Sequence, residues 1–249
     1  MGHFMRPAER ADAMETKRVY RPGDKDTPEE LEELLRRVLS KHPENSTNPH
    51  YTALMNLLWD RCITLAPDEE IKIPLARLMF QEIEHGVITA RILKHLGVDK
   101  VENPIEQYMF HLPIDSWVDL CYFHALGDRV GMYIGETWGE VPYEPLRKVT
   151  PKLHRDELFH ASLGMSNLKI CCKTESGRSE AQELIHKWWP ACLDMFGKST
   201  SKFSDKYVKW GIRKKGNEEL RQDYIGHTRP MLEALGIDVP GNTANRRFL

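Results

Sequence analysis

The sequence has no run of 18 uncharged apolar residues, so no membrane-spanning helix is expected. It has almost no net charge: 35 Lys and Arg stand against 37 Asp and Glu, a formal charge of −2. A basic nucleic-acid surface is therefore not expected either. The first 26 residues, MGHFMRPAERADAMETKRVYRPGDKD, lack the apolar core of a secretory signal, and the expected location is the cytoplasm. Cysteine is scarce and never spaced as C-x-x-C. Cys62, Cys121, Cys171, Cys172 and Cys192 read as reduced core thiols in a chain of 249 residues. No segment has the alternation of a β-strand, and no internal repeat is apparent.

Helical periodicity is what the chain does have. Thr27-Pro28-Glu29-Glu30 has the pattern of a capping box, with Thr27 as N-cap, and predicts a short amphipathic helix over 27–42. Long helices are predicted over 50–66, 75–97, 116–139, 151–174 and 176–197, with Gly97 and Gly197 as stop signals. Pro-rich PDEEIKIP (67–74) reads as a turn. Gly127, Gly131 and Gly135 inside the third long helix suggest close packing. The tail beyond 197 offers two short helical pieces. The expected organisation is an N-terminal arm and short helix (1–45), a helical bundle (46–197) and a C-terminal helical extension (198–249). The fold class is all-α, an antiparallel four-helix bundle.

The chemistry sits in QEIEHG, residues 81–86, among Leu78, Met79, Ile83, Val87 and Ile88. Positions i and i+3 share a helix face, so Glu82 and His85 point the same way. The spacing recurs in ELFH as Glu157 and His160. Two Glu-x-x-His pairs on two apolar helices form the inward-facing motif of di-metal carboxylate bundles. Such a centre needs an imidazole per metal and several hard carboxylate oxygens. A buried glutamate in turn needs a cation. The bundle template also asks each remaining long helix for a carboxylate. The third helix offers Asp119 and Asp128, and Asp128 lies a short hairpin's length before Glu157. The first helix offers none at the right level: a hairpin's length before Glu82 falls near Thr52, with Asn56 one turn on. Asp60 lies about 12 Å further along the axis at ~1.5 Å per residue, too far to share the site.

These motifs resemble the catalytic A-type subunit of ring-1,2-phenylacetyl-CoA epoxidase, a multicomponent di-iron oxygenase of the ferritin-like superfamily. The resemblance runs from about His50 to Pro240. It includes ITLAP (63–67), EIEHG (82–86), SW-x-D (116–119) and DELFH (156–160). Most specifically it includes WWPACLDMFG (188–197) with NEELRQDYIGHTRPMLEALGIDVP (217–240). It implies a ferritin-like fold with Glu82, His85, Asp128, Glu157 and His160 as metal ligands, and places the family's first-helix glutamate on Thr52. Two further polar positions of the family fall on Trp59 and Leu78. The resemblance implies a cytoplasmic monooxygenase of phenylacetate catabolism with two irons, or manganese in their place; Thr52 at the position of a carboxylate suggests that the second metal is held weakly. It implies an acyl-CoA-type substrate, a reductase and a related structural subunit, and hence a homo- or hetero-oligomer. Lys206, Lys209, Arg213 and Lys214 read as part of a solvated charged face, with contacts to substrate phosphates, as the resemblance implies, the alternative. His111, His124 and His154 read as ordinary satisfied histidines, with a role behind the metal ligands as the alternative. The competing functions are a metal-deficient paralogue with a purely structural role, and a different oxidation at a mononuclear or mixed-metal site.

Overall fold

The computed structural model describes residues 18–42 and 45–247; the greater part of the expected N-terminal arm lies outside them. The architecture is all-α, a ferritin-like helical bundle, and an isolated bridge between Tyr20 and Tyr143 is the sole strand-like pairing among the described residues. Helix α1 (Glu29–Ser40) buries Leu31, Leu34, Leu35, Val38 and Leu39, a stripe recurring every three to four residues. Its N-cap is Pro28, and the Thr27 hydroxyl instead donates to the Asp24 carbonyl. The capping box expected from the sequence does not form.

Four long helical segments make the bundle. Helix α2 (Pro49–Thr64) is capped by Asn48, whose side chain accepts from the His50 amide. Helix α3 (Glu69–His95) begins six residues earlier than the sequence suggested. Asp68 accepts from the Ile71 amide and two glutamates fill the first turn, a strong start that carries the helix through Pro74. The third segment comprises α4 (Trp117–Tyr122), a π-helical turn (Phe123–Asp128) and α5 (Arg129–Glu136). Helix α6 (Glu144–Cys171) starts seven residues before the expected position and runs through Pro151; Pro145 in its first turn costs no hydrogen bond. Helix α7 (Glu175–Asp194) comes next, capped by Thr174. The extension holds α8 (Lys202–Lys209) and the longer α9 (Asn217–Glu233). Gly97 and Gly197 both adopt positive φ, as stop signals require.

Two cores result. The larger joins α2 to α7 and takes Leu220, Tyr224, Ile225 and Leu232 from α9. The smaller joins α1 to the end of α3, the start of α6 and Tyr207 of α8. Trp188 and Trp189 are fully buried in the larger core, and the five cysteines are free thiols. None of the described helices is long and apolar enough to cross a membrane.

Helix α6 approaches the π turn at backbone contact. A Cβ on Gly164 would come within 2.3 Å of the Ala125 amide nitrogen. Gly127 leaves room for the Met109 side chain and Gly131 for the Glu157 carboxylate, whereas Gly135 faces open space. Asp119 has a structural task. It is 2% exposed, accepts from Trp188 Nε1 at 2.8 Å and from the Asp115 amide at 3.1 Å, and pairs with Lys187. Asp119→Ala strands the Trp188 N–H and is expected to cost about 3 kcal/mol of stability in urea unfolding. Asp119→Asn, which keeps an acceptor for Trp188, should cost less.

Candidate metal centre

Helices α3 and α6 bring the two Glu-x-x-His pairs face to face. Glu82, His85, Glu157 and His160 are all buried. His160 Nδ1 lies 3.0 Å from Glu82 Oε1 and 4.0 Å from Glu157 Oε2. His85 Nδ1 lies 3.4 Å from Glu157 Oε1. The imidazole centroids are 5.8 Å apart. Ligand atoms of Glu82, Glu157 and His160 all fall within 4.8 Å of one another.

Each histidine is held from behind. His85 Nε2 is 3.2 Å from Asp156 Oδ2, and His160 Nε2 is 3.1 Å from Gln81 Oε1. Gln81 Nε2 donates to Asp156 Oδ1 at 2.8 Å, which fixes the amide so that its oxygen faces His160. Both rings therefore direct Nε2–H outward and turn Nδ1 inward, where it carries a proton toward a carboxylate or, deprotonated, can ligate. Lys152 Nζ reaches Asp156 at 2.6 Å and Glu84 at 3.1 Å, linking the network to the surface. Burial alone would raise the Asp156 pKa, but donation from Lys152 and His85 holds it below the usual carboxylate range. Burial would likewise depress His160, and the Glu82 carboxylate, with Glu157 and Asp128 behind it, lifts it instead.

These residues fit a divalent cation. His160 Nδ1 is buried, aims at two carboxylates and makes no hydrogen bond of normal geometry. A cation between them would use that lone pair and neutralise charges that are costly to bury. His85 and His160 together with Glu82 and Glu157 are the residues that would hold it.

Asp128 lines the same cavity but is engaged elsewhere. Its Oδ2 is 2.8 Å from His124 Nδ1, and His124 Nε2 is 3.9 Å from Cys62 Sγ. Burial disfavours the His124 charge, yet Asp128 overrides this and lifts the imidazole to about 10. His124 thus belongs to the site, brought there by the π turn. No sequence pattern announces that turn. Asp156 and Gln81 were legible in principle, as the residues immediately before Glu157 and Glu82.

Thr52 is exposed, as are Asn56 and Asp60. The face of α2 turned inward carries Tyr51, Leu54, Met55 and Leu58, and the Tyr51 hydroxyl donates to the Glu82 carbonyl at 2.6 Å. Trp59 is also exposed, at 42%, and so does not shape the site; Leu78 is buried in the core.

A cavity of about 260 Å³ runs from the cluster to the surface. Glu82, Glu157, Asp128 and His124 lie on its wall with Leu54, Met55, Phe110 and Phe123. Residues of the smaller core, including Val38, Trp138 and Tyr207, complete it together with Arg37, Lys41 and Arg213. Of the four candidate phosphate contacts only Arg213 lines this cavity. Lys206 and Lys209 face Glu30 at 2.9 and 3.9 Å, and Lys214 pairs with Glu140 at 2.9 Å.

Fold and site define a ferritin-like bundle with a carboxylate–histidine centre between its second and fourth long segments. A family model described as phenylacetic acid catabolic protein matches residues 52–247, and the chain belongs to that family. It is 28% identical over 190 residues to the A-type subunit of 1,2-phenylacetyl-CoA epoxidase from Escherichia coli (strain K12), covering 72% of this chain and 61% of that protein. The chain thus spans about three-fifths of the length of that relative.

Outer partners typically carry about 10–100-fold in metal affinity. Asp156→Asn is expected to weaken metal binding by that order in equilibrium dialysis while leaving the helical circular dichroism intact.

Proposed function

We propose that the chain is the metal-bearing subunit of a monooxygenase acting on an acyl-CoA-type substrate, with iron as the metal and manganese as its alternative. The observation that carries this reading is one cavity whose wall holds both the glutamates of the carboxylate–histidine cluster and the guanidinium groups of Arg37 and Arg213. The name of the Escherichia coli relative supports the substrate class. That relative is one subunit of its enzyme, which supports work within a larger assembly; a reductase and a related structural subunit would be the partners.

When bound, the metal supplies activation of dioxygen; the protein supplies geometry and a dry space. Leu54, Met55, Leu58, Phe110 and Phe123 exclude water around the reacting group. Asp156 and Gln81 fix the tautomers of His85 and His160. The cavity lies just below the ~300–1,000 Å³ range of small-molecule pockets, so it suits a small aromatic or acyl group and not a whole coenzyme thioester. The carrier would lie at the mouth.

On the cavity wall Arg213 is poorly compensated. Its Nη1 donates to Asn217 Oδ1 at 2.8 Å, its Cζ lies 5.1 Å from the centre of the Tyr207 ring, and Nε has no hydrogen-bond partner. No ion pair to Arg213 or Arg37 occurs among the described residues; Arg37 stacks on Phe203 at 3.6 Å. Burial pulls the Arg213 pKa below its usual range, but a guanidinium stays protonated and calls for an anion. Lys41, also on the cavity wall, is paired with Glu106 at 2.6 Å.

The experiment is metal analysis of protein purified without chelator, followed by oxygen uptake with phenylacetyl-CoA and a reductase. Bound iron with substrate-dependent uptake supports the reading; a metal-free protein that takes up none after iron loading favours a structural role. Arg213→Ala is expected to weaken binding of coenzyme A by about tenfold or more in calorimetry, whereas Lys214→Ala leaves it unchanged.

A further inference from the structure

Resting on the metal-centre reading, we infer that this centre is built unequally: one cation is held firmly by Glu82, Glu157 and His160, and a second, beside His85, is held weakly because α2 supplies no carboxylate. Three observations meet here. First, the ligand atoms of Glu82, Glu157 and His160 already converge within 4.8 Å, and His85 does not join that group. Second, His160 Nδ1 lies 3.0 Å from Glu82 Oε1 and 4.0 Å from Glu157 Oε2, so it reaches both carboxylates. Third, the inward face of α2 is filled with apolar groups. Tyr51 packs so closely on α3 that a Cβ at Gly86 would lie 2.5 Å from its hydroxyl oxygen. Met55, four residues on, lies on the same helix face.

The charge balance points the same way. Glu82 and Glu157 carry two negative charges, enough to neutralise one divalent cation. A second cation has only the Asp156 carboxylate behind His85 to draw on, and Lys152 already takes part of that charge. His160 is backed by the neutral Gln81 amide, so the outer shell alone would favour His85. A missing direct ligand outweighs that difference, since a direct contact acts at shorter range than an outer one.

The residue through which the missing charge can be restored is Met55 and not Thr52. Met55 lines the same cavity as Glu82 and Glu157, whereas Thr52 faces solvent. The test loads the protein with Fe(II) under nitrogen and counts metal per chain by dialysis across a concentration series. The wild type should bind one equivalent firmly and a second at least about tenfold more weakly, a separation within the range of ligand-environment effects. His85→Ala should abolish the weak step and keep the firm one; His160→Ala should abolish the firm one. Met55→Glu should strengthen the weak step by about tenfold, and Thr52→Glu should change neither. Circular dichroism checks that each variant folds, and should Met55→Glu not fold, the two histidine variants decide. Two equally firm equivalents in the wild type, loss of the firm step in His85→Ala, or strengthening by Thr52→Glu would each overturn the inference while leaving the metal centre standing. A wild type that binds no metal would overturn both.

Discussion

Everything in this bundle is arranged around two glutamates that have been taken out of water. Glu82 and Glu157 face one another across α3 and α6, both 6% exposed. Unit charges about 4 Å apart interact by ~4 kcal/mol even at an effective dielectric constant near 20. Two carboxylates therefore do not share such a space without positive charge. The protein provides it in two interchangeable forms. In one, protons sit on imidazoles, which is why His160 is more basic than an isolated histidine despite its burial. In the other, a bound cation would take the place of those protons. The network of Asp156, Gln81 and Lys152 serves both forms, because it grips only the outward nitrogens.

The same constraint accounts for the helix packing. Carboxylates can face inward only where neighbouring backbone leaves room, and Gly131 leaves it for Glu157, whose Oε2 would stand 3.0 Å from an added Cβ. Two turns beyond Glu157 on α6, Gly164 lets the backbone touch the π turn. A π turn inserts a residue and rotates the helix beyond it, and such turns concentrate at functional sites. Here it places His124 and Asp128 on the cavity wall four residues apart. The second core, built from α1, Trp138 and α8, then closes the far side of the cavity, so the terminal segments complete the site's surroundings.

The two Glu-x-x-His pairs, the helical class and the α3 and α6 faces were legible because each depends on spacing within one helix. Helix starts were less so. Pro74 and Pro151 looked like boundaries, yet Asp68 and Pro145 provide starts strong enough to carry the helix through them. The basic tail illustrates a different limit. Lys206, Lys209, Arg213 and Lys214 are alike in sequence, and only the fold separates Arg213, on the cavity wall, from three lysines facing surface glutamates. His124 was visible in the sequence only as an alternative to an ordinary satisfied histidine, for a related reason: its partner Asp128 is at i+4, an unremarkable spacing, and its importance comes from the packing around the π turn.

Thr52 shows how little separates a correct motif from a misplaced residue. Successive side chains on a helix are turned by about 100°. A register that is anchored in sequence by His50 and ITLAP can still leave its neighbour, Tyr51, facing the cluster and Thr52 facing solvent. Sequence similarity aligns positions; burial decides orientation. On α2 the buried set Tyr51, Leu54, Met55, Leu58 and Cys62 has the regular spacing of a single apolar face, and Thr52 is not on it. The absence of a carboxylate on that face is therefore a property of the whole inward stripe and not of one substituted residue. The charge deficit at the His85 side is built into the packing of the helix.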